Sequence, residues 1–128
     1  MSQNVMITGA GKNIGKEIAM SFAGGNGTTK GARIMTCQTI EGNKGAYIGL
    51  AFVYAAENGA VISQNSWSIE QDSKSINEAI DYFNTYAGMD EAGVSQVGPM
   101  AGGVSIFAAG NENATIGYPA LYLILKTI

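Results

Sequence analysis

The chain has 128 residues, a length that suits one compact domain. Apolar residues make up 46% and charged residues 13%, which excludes the disordered class. The net charge is −3 with seven basic residues spread along the chain, so there is no basic stripe for nucleic acid.

Residues Asn4 to Thr8 read as a short apolar strand that Gly9-Ala10-Gly11 breaks. Asn13 to Phe22 then reads as a helix, with Ile14, Ile18 and Phe22 on one face. Ala23 to Gly31 is a glycine-rich loop. Ala32 to Cys37 is a second strand, and Gly45 to Asn58 is helical in pattern, with Tyr47, Leu50, Ala51 and Tyr54 on one face. Gly59 is placed to stop that helix in the left-handed conformation. Ala60 to Gln64 is a third strand. Ser75-Ile76-Asn77-Glu78 fits a capping box, followed by Ile76, Ala79, Ile80 and Phe83 at helical spacing and by Gly88 as terminator. Met89 to Gly103 reads as a loop or short hairpin, Val104 to Ala108 as a fourth strand, and Gly110 to Pro119 as turns before a short last segment.

Strands that alternate with helices of this length predict a single α/β domain over 1–128: a small three-layer parallel sheet with helices on both faces. Four strands are few for such a sheet. Apolar sheet edges and self-association through them are therefore expected.

No apolar run is long enough for a bilayer, since Ala120 to Leu125 is short and Lys126 follows it. The N-terminal residues lack the pattern of a signal peptide, so a cytoplasmic location is expected for the chain as it stands. The single Cys37 excludes an internal disulfide and a multi-cysteine zinc site, and at the end of a buried strand it reads as a structural thiol. No metal site is read.

The first motif is Thr8-Gly9-Ala10-Gly11-Lys12-Asn13-Ile14-Gly15, after a strand and opening a helix. A glycine-rich turn there lets backbone N–H groups approach a pyrophosphate at a helix N-terminus. With Val5-Met6-Ile7 before it and Lys16 to Ala19 after it, the segment over about 4–22 resembles the cofactor turn of short-chain dehydrogenases. That resemblance implies NAD or NADP held through Gly9, Gly11 and Gly15. Asn13 stands where the family usually has its middle glycine, and Cys37 and Gln38 stand where an acid would hold the ribose. A Tyr-x-x-x-Lys pattern occurs at Tyr122 and Lys126, in an apolar tail and without the serine the family places before it, and reads as a coincidence of composition.

The second set of motifs is larger. Gly24-Gly25-Asn26-Gly27, Ala32 to Gln38, Asn58 to Trp67 and Ile106 to Glu112 occur in that order, with Gly117-Tyr118-Pro119-Ala120 after them. Over about 23–122 the chain resembles the central part of a subtilisin-like serine peptidase, a subtilase. The resemblance implies that Asn111 is the side-chain donor of an oxyanion hole, a neutral and permanent NH₂ aimed at the oxygen that gains charge. It implies that Ala108, Ala109 and Gly110 wall the primary specificity pocket, and that Ser66, Trp67 and Ser68 carry an extended peptide as an added strand. Ser68 stands where the family usually has glycine.

The chain has no histidine. The family's Asp turn, its histidine-bearing helix opening and its Gly-Thr-Ser-Met nucleophile turn have no match. The sequence thus reads as a subtilase middle whose N-terminal strand–helix unit is of dinucleotide-binding type, whether truncated, recombined or designed. The expected function is a subtilase-like fragment without the triad, inactive alone, acting as a scaffold or weak peptide binder that needs no cofactor. The alternatives are an NAD(P)-binding module through the Gly9–Gly15 turn, and a fold without an evolved site.

Overall fold

The structure is a computed structural model and describes residues 4–8, 33–37, 39, 47–90, 92, 100–111 and 115–126. The order of elements is β1 (Asn4–Thr8), β2 (Arg33–Cys37), α1 (Ile48–Glu57), β3 (Ala60–Asn65), α2 (Lys74–Tyr86), β4 (Val104–Phe107) and α3 (Ala120–Lys126). The predicted helix over 13–22 lies outside the described residues.

The four strands form one parallel sheet in the order β2-β1-β3-β4. This is the α/β architecture expected from alternating strands and helices. Parallel neighbours need long crossovers, and between β3 and β4 α2 supplies it. Register follows from the pairing of Thr8 with Cys37 and with Asn65, and of Asn65 with Phe107, so the four strands end level with one another.

Alternation along the strands then sorts the side chains. Met35, Cys37, Ser63, Asn65, Ser105 and Phe107 share the face toward α1 and α2, where Met35, Cys37 and Phe107 pack against the core. Ile34, Ile62, Val104 and Ile106 share the other face, and on β4, at one edge of the sheet, Val104 and Ile106 are exposed.

The core is the layer between sheet and helices. Ile48, Phe52 and Ala55 of α1 meet Ala79, Ile80 and Phe83 of α2. Phe52 and Phe83 are fully buried and cross edge to face at 6.0 Å, and Phe107 stacks on Phe52 at 6.2 Å. Such ring pairs add about 0.5–1.5 kcal/mol beyond the area they bury.

Two sequence expectations are corrected here. The buried stripe of α1 is Ile48, Phe52 and Ala55, while Tyr47, Leu50 and Tyr54 of the expected face are exposed at 62%, 65% and 56%. The helix IGLAFVYAAE is apolar on both sides, so periodicity alone does not choose which side packs. The capping box does not form. α2 starts at Lys74 with Ser73 as its N-cap and no side-chain capping bond, and Glu78 pairs instead with Lys74 at 3.6 Å. The turn before the helix is held by Asn77, whose amide donates to the Asp72 carboxylate at 2.7 Å.

Gly59 and Gly88 follow the two helices with φ of +81° and +77°, as expected of terminators. At Gly88 a side chain is also excluded by space, because a Cβ would run into the Met100 carbonyl oxygen. The last segment, which the sequence leaves unassigned, is α3. It docks on α2 through Asp81: the Tyr122 hydroxyl donates to Asp81 Oδ2 at 2.7 Å, and Lys126 Nζ lies 2.6 Å from Oδ1.

Candidate functional site

In a parallel α/β sheet, ligands are met at the carboxyl ends of the strands, where loops leave a rigid platform. The described motif residues fall at that end. Ser66, Trp67 and Ser68 follow β3, and Ala108, Ala109, Gly110 and Asn111 follow β4, its hydrogen-bonded neighbour. Gly9, Gly11 and Gly15 belong to the segment after β1 and lie outside the described residues.

The two described loops are fastened at their roots. The Ala108 N–H donates to the Asn65 carbonyl at 3.0 Å, which extends the β3–β4 ladder one step past β4. The Asn65 side chain is fully buried and donates to Ser63 Oγ at 2.6 Å and to the Ile106 carbonyl at 3.2 Å. Asn65 therefore ties the end of β3 to β4 just where both chains leave the sheet. The sequence reading assigns it no role. Its signal was a pair of polar residues, Ser63 and Asn65, two apart in a strand that is otherwise largely apolar, because polar groups on a buried face must find partners.

Beyond the roots, Ser66 and Ser68 are exposed and so are all four residues from Ala108 to Asn111. Gly110 has φ +107°, a turn that takes the chain away from the strand direction. Trp67 is half-buried, with its ring edge-on to Phe107 at 5.4 Å. It is thus the outer member of an aromatic series, Phe83, Phe52, Phe107 and Trp67, running from the core to this surface.

One side of the Ser66–Ser68 segment is bordered by the chain itself. Ile69 and Tyr118 form an antiparallel bridge, with Ile69 N to Tyr118 O at 2.9 Å and Tyr118 N to Ile69 O at 3.3 Å. The Ser68 side chain lies against Gly117, where an added Cβ would be 3.0 Å from Ser68 Cβ. The Ser68 hydroxymethyl is thereby turned toward residues 117–118.

Cys37 ends β2 at the same carboxyl end of the sheet. It is half-buried, and burial pushes its thiol above the ordinary value, so it stays protonated and unreactive at neutral pH. Thr39, just beyond it, is buried. Neither residue offers the acid that would anchor a ribose. Tyr122 and Lys126 sit on α3 and both bind Asp81. The hydrogen bond to Asp81 holds the Tyr122 hydroxyl above its usual range, the reverse of an activated phenol.

Among the described residues, no group of three or more His, Cys, Asp or Glu could hold a metal ion. No described helix is long and apolar enough to cross a membrane. In comparisons with known proteins, the chain matches no family model, no curated protein and no solved structure.

Proposed function

We propose that this chain is a peptide-binding α/β domain of subtilase type that holds an extended segment without cleaving it. The observation that carries the reading is the joint origin of the two candidate loops. Residues 66–68 and 108–111 leave adjacent parallel strands at one end of the sheet, fixed to each other by the bond from Ala108 N–H to Asn65 O. In this reading the exposed backbone after β3 pairs with the peptide as an added strand. Ala108 to Gly110 leave room for a side chain, and Asn111 donates to a peptide carbonyl rather than to a reacting oxyanion. Without a histidine, no imidazole is present to take the proton from a serine, so turnover is not expected.

Trp67 is the chain's single tryptophan and reports on this edge. Titration of capped peptides of about six residues is expected to change its emission saturably, and Asn111→Ala to weaken binding by about tenfold, the worth of one hydrogen bond. A serine-directed fluorophosphonate should label nothing. Labelling of one serine with peptide turnover would overturn the non-cleaving part of the reading.

A second reading is favoured by the strand order. β1 lies between β2 and β3, so its carboxyl end is the point from which the sheet is built outward in both directions, where doubly wound sheets receive nucleotides. The residues after β2 do not fit a dinucleotide's ribose, which limits this reading to weak capture of a phosphate-bearing ligand by the Gly9–Gly15 turn. Titration with NAD and NADP, with Gly15→Asp as control, tests it. Absence of binding at millimolar cofactor would dismiss it.

A further inference from the structure

The amino end of the sheet carries a second feature, unrelated to the loops described above. α1 and α2 run side by side, and a cavity of about 570 Å³ opens where their C-terminal ends meet the chain after α2. Ala56 and Glu57 line it from α1, Tyr82 and Tyr86 from α2, and Met89 and Asp90 from the following turn. None of the described basic residues lines it.

Three properties of this cavity have the same sign. The C-terminal end of each helix carries the negative pole of its dipole, and both ends border the cavity. Glu57, the last residue of α1, is exposed and contributes a carboxylate, and the two described ion pairs, Lys74–Glu78 and Lys126–Asp81, lie elsewhere. Tyr82 and Tyr86, one turn apart, have ring centroids 5.1 Å apart with their planes tilted by 47°. The two tilted rings, both lining the cavity, form an aromatic corner, and ring faces are electron-rich.

A carboxylate alone would suit a hydrated metal ion or a lysine as well. Ring faces select a cation that gives up water readily, and a tilted pair suits a rounded cation better than a flat one. We propose that this cavity is a binding site for a small quaternary ammonium ion, held by the Tyr82–Tyr86 corner with Glu57 as counter-charge.

Tetramethylammonium chloride is the probe, titrated into the full chain while backbone amide shifts are followed, with sodium chloride at equal ionic strength as the reference. Saturable shifts confined to residues around Glu57, Tyr82, Tyr86 and Asp90 are expected. Tyr86→Leu should weaken the apparent affinity by about fivefold, as loss of one cation–π face would. Glu57→Gln, which keeps shape and removes charge, should weaken it similarly, so that the test stands if either variant folds poorly. Linear shifts equal to those in sodium chloride, or saturable shifts that neither folded variant alters, would overturn the proposal.

Discussion

Gly88 combines a φ of +77° with a Cβ direction that points into the Met100 carbonyl. Alanine there pays for the left-handed conformation and also displaces backbone. Gly88→Ala is expected to cost at least about 2 kcal/mol, read as a lower denaturant midpoint at unchanged m-value. Asn65 is the other residue whose replacement should be felt beyond its size. Asn65→Ala leaves the Ser63 hydroxyl and the Ile106 carbonyl without their buried donor, a loss of about 2–3 kcal/mol. Asp81 makes a pH-dependent contribution. Burial alone would raise its carboxyl, but the hydrogen bonds from Lys126 and Tyr122 and the charge of Lys126 outweigh that and hold it below the ordinary carboxylate value. A lowered folded value means that the contribution is present above the unfolded carboxylate range and is lost as pH falls through the folded value. Asp81→Asn should therefore melt below the parent chain at pH 7, and the gap should close on acidification.

At the scale of elements, the sequence resolves existence better than boundaries. The strands at 4, 33, 60 and 104 are legible because each short apolar run has a glycine near at least one end, and α2 because Ala79, Ile80 and Phe83 repeat on one face. The packing side of α1 was not legible, because Tyr47, Leu50 and Tyr54 form as good an apolar stripe as Ile48, Phe52 and Ala55, and only the position of Phe83 and Phe107 decides between them. The segment 120–126 likewise meets its partner, Asp81, only in the tertiary structure. The start of α2 departs from its local pattern: Ser75 and Glu78 fit a cap, while the chain uses Asp72 with Asn77 and Lys74 with Glu78. Accordingly Ser75→Ala should change stability by less than about 0.5 kcal/mol, where loss of a true cap would cost about 1. Phe52→Ala removes the ring that joins both helices to β4 and should cost about 3–5 kcal/mol.

For the molecule as a whole, the parallel sheet was implied by alternation of strands and helices, but its order was not. Sequence spacing does not say which neighbour a strand takes, and β1 between β2 and β3 emerges only from the pairing. The level ending of the four strands has a structural consequence. Segments about forty positions apart, starting at Ser66 and Ala108, leave the sheet from paired positions because Asn65 and Phe107 share one register step. The motifs themselves were legible as short strings. Their anchoring by Asn65, and the Ile69–Tyr118 bridge that borders them, are properties of tertiary packing. The measurement that bears most directly on peptide binding is an amide-shift titration of the full chain with a capped hexapeptide. Saturable shifts clustered at 66–68 and 108–111, diminished in Asn111→Ala, are expected. No saturable shift, or shifts centred on the segment after β1 or on the helical side, would contradict peptide binding at these loops.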